Sequence, residues 1–216
     1  MITHVLFDLD GTIADSRLGI VRCLQHGFAE LGLPVPPEHE LELVIGPPLV
    51  SALPRFGLDH DTVVRLIEAY RARYRPIGIF EAELYPGMAD LVHRLAAAGL
   101  TLAIATSKPE PFAEQIVEHF DLRRSLDVVA GATFDDTRAY KADVIAHALA
   151  QLPGSTAANT VMVGDRHHDI DGGRAHGLRT IGVSWGFGSR DELAQAGVWR
   201  LVDTADELAD LVLAGR

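Results

Sequence analysis

Val5-Leu6-Phe7-Asp8-Leu9-Asp10-Gly11-Thr12-Ile13-Ala14-Asp15-Ser16 runs three apolar, β-favouring residues into two aspartates one residue apart, with a glycine immediately after the second. Like charges that close repel, and they lose hydration where a strand end is buried, so the pair demands a positive neighbour. Side chains two apart on extended backbone face the same way, which directs Asp8 and Asp10 together from the C-terminal end of a first strand. An isolated Asp-Gly usually means a turn or cap. A calcium loop also begins D-x-D, but counted from Asp8 the glycine stands fourth instead of sixth, and Gly19 fills the twelfth place where a bidentate glutamate is needed.

Further apolar runs follow the same design. Leu100 to Ala105, Val128 to Ala130, Val161 to Val163 and Thr180 to Val183 are short, rich in β-branched residues and nearly uniform, as strands buried on both faces would be. Met88 to Ala98, Pro111 to His119 and Ala142 to Gln151 carry apolar residues at helical spacing between them. Strands alternating with helices predict an α/β, doubly wound parallel sheet with right-handed crossovers. About ninety residues separate Phe7 from Leu100, far more than one crossover requires. The excess predicts an inserted helical cap domain at 16–85, standing over the sheet edge where such folds bind ligands, on a core of 1–15 and 86–216. Its helices are expected at Leu18 to Leu31, Pro48 to Phe56 and Thr62 to Tyr74, without a convincing strand, between turn residues at Ala14-Asp15-Ser16 and Tyr85-Pro86-Gly87 that could hinge.

The 216 residues, 48% of them hydrophobic, suffice for a packed core, and a net charge of −11 argues against broad contact with nucleic acid or an anionic membrane. One cysteine, Cys23, excludes an internal disulfide and a Cys-rich zinc site. No leader-like or membrane-length apolar segment is present in the sequence, and a cytoplasmic location is expected. Of 19 basic residues only Lys108 and Lys141 are lysines.

Three other segments carry chemistry. Val161 to Val163 ends in Gly164-Asp165, with Asp169 four residues on, so carboxylates gather at two buried strand ends and offer oxygen ligands suited to Mg²⁺. The run Leu102 to Ala105 ends in Thr106-Ser107, hydroxyls suited to phosphate oxygens or to capping the next helix. Lys141 opens a helix, where a cation is locally unfavourable and calls for an anionic partner.

D-L-D-G-T, the strand ending in Thr106, Lys141 and G-D-x-x-x-D resemble, in this order, the four signature motifs of the haloacid dehalogenase-like hydrolases. The inserted helices and Gly164 to Ser189 resemble its phosphoglycolate phosphatase-like branch. The resemblance implies a Rossmann-like core and an Mg²⁺-dependent phosphatase working through an aspartyl-phosphate. Asp8 is then the nucleophile, and Asp10 the proton donor and acceptor. Asp8, Asp10 (through its carbonyl) and Asp165 are the metal ligands, with Gly11, Thr106, Ser107 and Lys141 around the phosphate and Asp169 behind them. Thr106 and Lys141 join the two aspartates as catalytic residues. Gly11 is expected to leave room for the phosphate. Gly46 and Arg55 in the cap are the candidates for substrate selection, with Arg17 and Arg22 as alternatives.

The expected partner is a small phosphorylated metabolite, with no nucleic acid or membrane, acted on by a monomer or homodimer. A 5′-nucleotidase or pyrophosphatase of the same family, a phosphomutase and a non-catalytic binding protein are the alternatives, in that order. Asp10 argues against a dehalogenase, and the lack of any lysine between Asp15 and Pro86 argues against phosphonate cleavage. His167 and His168, adjacent on a helix, are not expected to share a metal. Arg166 reads as a residue of the surface or of the site mouth, and Trp185 and Phe187 as packing residues rather than stacking platforms.

Overall fold

The computed structural model describes residues 1–135 and 137–214. Six parallel strands form one sheet in the order β5-β4-β1-β6-β7-β8: β1 His4–Phe7, β4 Thr101–Pro109, β5 Val128–Ala132, β6 Thr160–Gly164, β7 Arg179–Val183 and β8 Arg200–Val202. Side chains alternate between the faces. Leu6, Ala103, Ala105 and Met162 enter one core with Val144, Ile145 and Ala148 of α7, Lys141–Ala150. Val5, Phe7, Leu102, Ile104, Val161 and Val163 are fully buried as well. Burial on both faces is why these strands read as uniform apolar runs, and the doubly wound α/β expectation is met.

The chain builds outward from β1 through β4 to β5, then returns to the other side of β1 with β6. Phe7 pairs with Ile104 on one side and with Val163 on the other. The strand order therefore reverses at β1, and the C-terminal ends of β4, β1 and β6 lie side by side where open α/β sheets form their ligand crevice. Helices α5 Met88–Ala97, α6 Glu110–His119, α8 His167–Ala175, α9 Arg190–Ala196 and α10 Ala205–Ala214 complete this part of the chain.

The chain divides into two compact units, residues 1–14 with 84–216, and residues 15–83. Two-residue strands, β2 Ala14–Asp15 and β3 Glu83–Leu84, mark the passages between units. The second unit is built on α1 Arg17–Glu30 and α4 His60–Tyr74, with α2 Glu38–Glu42, α3 Leu49–Ala52 and short 3₁₀ turns at Leu53–Phe56 and Gly78–Phe80. Asp59 caps α4 by accepting the Thr62 N–H at 2.8 Å. Phe28 packs edge-on against Phe56, with ring centroids 5.5 Å apart. The Glu81 carboxylate joins Arg22 at 2.9 Å and Arg73 at 2.7 Å, tying the segment after Gly78–Phe80 to both long helices.

Several expectations need correction. Strand β4 continues beyond Ala105 to Pro109, with its register against β5 broken between Thr106 and Pro109. The inserted region contains β3, and its Pro48-to-Phe56 helix is one α turn followed by a 3₁₀ turn. Helix α2 and strand β8 went unread. Among the described residues no helix is long and apolar enough to cross a membrane.

Candidate active site

Parallel register gathers the polar residues. Asp8 follows β1 and its N–H donates to the Val163 carbonyl at 2.8 Å, while Asp165 follows β6, so the two carboxylates leave adjacent strands on the same edge. Asp169 lies in the first turn of α8, and its Oδ2 accepts the Arg166 N–H at 3.0 Å. One carboxylate oxygen from each of Asp8, Asp165 and Asp169 falls within 4.8 Å of the others, and all three residues are buried.

Lys141 sits at the first position of α7, which the buried Val144, Ile145 and Ala148 seat on the sheet. Its Nζ donates to Asp8 Oδ1 at 2.6 Å and to the Ala105 carbonyl at 3.0 Å. It also lies 2.9 Å from Asp169 Oδ1, an ion pair without hydrogen-bond alignment. These partners answer the electrostatic question posed by a lysine at a helix N-terminus.

Burial dominates the proton affinities. It pushes the Asp8 pKa above its ordinary value against the pull of Lys141, with Asp169 adding to the rise. Burial and then the Asp169 and Asp8 carboxylates raise Asp165 well above 3.8, opposed by the Phe187 N–H and Arg166. Burial alone would lower Lys141, but Asp169 and Asp8 outweigh it and hold the ammonium more basic than usual.

The Asp165 carboxylate lies in a backbone cradle. Phe187 N–H donates to its Oδ2 at 2.7 Å and Thr12 Oγ1 to its Oδ1 at 3.3 Å. Trp185 Nε1 donates to the Thr12 carbonyl at 3.0 Å, which fastens the Trp185–Phe187 segment to the loop after β1. Gly11 has φ +85°, and a Cβ there would overlap Asp165 Oδ2 and the Phe187 ring. The glycine thus accommodates the Asp165 carboxylate and its cradle.

Asp10 points elsewhere. Its Oδ2 lies 3.0 Å from Lys108 Nζ, and the two side chains are 12% and 5% exposed. Sequence reasoning gave Lys108 no role. Its only signal was the rarity of lysine, since both lysines of the chain are buried against the first pair of aspartates. Thr106 is buried, with its Oγ1 accepting the Lys108 N–H at 3.2 Å, and Ser107 is partly exposed.

Glu192 was also missed. It accepts from Arg166 Nε at 2.9 Å and from the His167 N–H at 2.9 Å, and His167 Nδ1 lies 2.7 Å from the same oxygen. Against the effect of burial, those donors hold the Glu192 carboxyl down at about 2. Burial, followed by neighbouring positive charge, lowers His168 to about 4. Gly46, with φ +113°, and Arg55, whose Nη1 donates to the Leu43 carbonyl at 3.3 Å, belong to the helical unit.

A divalent ion fits the donor set. Four carboxylates, those of Asp8, Asp10, Asp165 and Asp169, outnumber the ammonium groups of Lys108 and Lys141 that pair with them. Oxygen donors alone suit a hard cation.

Residues 5–183 match the model of the family described as haloacid dehalogenase-like hydrolase. The chain belongs to that family. Among the proteins it resembles, tyrosine-protein kinase PtkA of Mycobacterium tuberculosis is 44% identical over 187 residues, 87% of this chain. The chain spans only 64% of that relative's length. A 5′-nucleotidase of Pseudomonas aeruginosa is 40% identical over 88% of this chain and 86% of its own. A phosphoglycolate phosphatase of Rhodospirillum rubrum is 31% identical over 95% and 89%. The crystal structure of a predicted phosphatase from Clostridium acetobutylicum superposes with a TM-score of 0.94 at 35% identity, covering 99% of each chain.

Proposed function

We propose that this protein is an Mg²⁺-dependent phosphatase that hydrolyses a small phosphate monoester through an aspartyl-phosphate on Asp8. The observation that carries this reading is the meeting of Asp8, Asp165, Asp169 and Lys141 in one buried cluster at the ends of adjacent strands. Asp8 attacks phosphorus, and its new O–P bond forms as the bond from phosphorus to the leaving oxygen breaks. Asp10 gives that oxygen a proton. In the second half Asp10 takes a proton from water as the water oxygen attacks phosphorus. The Asp8–phosphorus bond breaks, inorganic phosphate leaves, and Asp10 is protonated as at the start.

Lys141 keeps Asp8 ionised and oriented and offsets phosphoryl charge, while Thr106, Ser107 and backbone N–H groups near Gly11 hold phosphoryl oxygens. The carboxylates of Asp8 and Asp165 with the Asp10 carbonyl would hold the ion, which when bound supplies Lewis-acid neutralisation of the phosphoryl oxygens. Asp169 orients Lys141 from behind.

The kinship with proteins named 5′-nucleotidase and phosphoglycolate phosphatase supports nucleoside monophosphates and 2-phosphoglycolate as the first substrates to try. In this reading 1–15 with 86–216 is the catalytic core and 16–85 is a cap whose Gly46 and Arg55 select the leaving group. A panel of phosphorylated metabolites compared by kcat/KM tests it, and a flat profile would defeat a dedicated substrate. The 44% identity to a protein named a tyrosine-protein kinase favours a second reading, phosphoryl transfer from a nucleoside triphosphate to a tyrosine hydroxyl. Labelled ATP with a tyrosine peptide separates the two: label on the peptide supports transfer, label only in inorganic phosphate supports hydrolysis.

A further inference from the structure

Lys108 is the first of the chain's two lysines, and it is buried just after the Thr106-Ser107 pair where the sequence pattern ends the strand. Strand β4 pairs Thr106 with Gly131 and then Pro109 with Ala132, so Ser107 and Lys108 are extra residues on the β4 side. Such a bulge re-aims side chains. The Lys108 N–H turns back onto Thr106 Oγ1 at 3.2 Å, and Gly131 allows the tight passage, because a Cβ there would come within 2.7 Å of the Lys108 carbonyl. The re-aimed ammonium stands 3.0 Å from Asp10 Oδ2.

The consequence is a division of labour between neighbouring aspartates. Asp8 joins the carboxylate cluster of Asp165 and Asp169, whereas the Asp10 carboxylate stands outside it, although both leave the same strand end two residues apart. A carboxylate drawn into a metal site is an acceptor only. One held outside it is not committed to metal coordination and can take part in proton exchange.

We propose that Lys108 is a positioning residue for Asp10, holding its carboxylate out of the metal site and toward the leaving oxygen. This rests on Asp10 being the proton donor of the phosphatase reading above.

The test compares kcat/KM for an alkyl phosphate, whose leaving oxygen needs a proton, with that for p-nitrophenyl phosphate, whose leaving group departs as an anion. Lys108→Met is expected to lose about 10–100-fold on the alkyl ester and under about 3-fold on the nitrophenyl ester, a share of what proton transfer contributes. Inhibition by inorganic phosphate should be unchanged. The ratio of the two substrates within one preparation is independent of how much protein is folded. Asp10→Asn should show the same selectivity, and the double variant should be no worse than Asp10→Asn alone.

Equal losses on both esters with Lys108→Met, or a weakened phosphate inhibition constant, would overturn the proposal while Asp10→Asn stayed selective. A uniform loss in Asp10→Asn would instead remove the proton-transfer role of Asp10, and the positioning role with it.

Discussion

Replacing Asp165 with asparagine should make the metal-free protein more stable and the metal-loaded protein comparatively weaker. Asp165 is fully buried, and one of its carboxylate oxygens lies within 4.8 Å of one from each of Asp8 and Asp169. At that separation, with an effective dielectric of about 20, each ionised like-charge pair costs about 3.5 kcal/mol. Proton uptake relieves part of this cost, so the net gain expected from Asp165→Asn in chelator is about 1–3 kcal/mol. The amide can still accept the Phe187 N–H and donate to Thr12 Oγ1, which leaves the cradle intact. At roughly 2–4 °C per kcal/mol for a chain of this size, the midpoint rises by about 2–12 °C.

The pH dependence follows in sign. Because the folded-state pKa values of Asp165 and Asp8 are raised above 3.8, the stability tied to their protonated forms is present below 3.8 and is lost as pH rises through the folded values. The advantage of the variant should therefore be small near pH 4 and grow toward pH 8. In Mg²⁺ the gap narrows. Wild type gains about 2.7 kcal/mol at a hundredfold excess over Kd, and the variant, lacking a ligand, gains far less. Thermal melts of both proteins in chelator and in Mg²⁺, at several pH values, make the measurement. A variant that melts below wild type in chelator at pH 8, or that gains the wild-type increment from Mg²⁺, would refute the reasoning.

Asp8→Asn should abolish phosphate release, by more than about 10³-fold, while the melting midpoint does not fall; near-wild-type turnover would remove Asp8 from the mechanism. Excess chelator should stop activity, with Mg²⁺ restoring it and Ca²⁺ not, because the larger ion takes more ligands and disturbs in-line attack; full activity in chelator would count against a metal role. Gly11→Ala should cost about 1–3 kcal/mol from its positive φ and the overlap with Asp165, read as a lowered melting midpoint. In the helical unit, Glu81→Gln should loosen the join to Arg22 and Arg73 by about 1 kcal/mol, and an unchanged melt would mean the three partly exposed groups contribute nothing.

What the sequence made legible follows from burial. The central strands stood out because both faces are apolar, and Asp8, Asp165 and Thr106 were conspicuous as polar residues at the ends of such runs. Strand β8 escaped because an edge strand of three residues with only Val202 buried carries no pattern. Helix α2 escaped because Leu41 is its single buried residue among glutamates and a histidine. The far end of β4 was misjudged because the apolar run stops at Ala105 and polar residues lead toward the next helix, whereas here a bulge carries the pairing on to Pro109. Lys108 and Phe187 reach their partners across about 98 and 22 positions of sequence, contacts that depend on register and on a loop path that local pattern does not encode.

The placement of the two lysines has a practical side. Each ε-amino group is buried against a carboxylate, and the other basic side chains of the sequence are guanidinium and imidazole groups. Reagents that acylate amines should therefore find the side chains of the folded protein almost inert. Each added ε-acyl group would record one opening of the cluster, so mass spectrometry could count such events molecule by molecule.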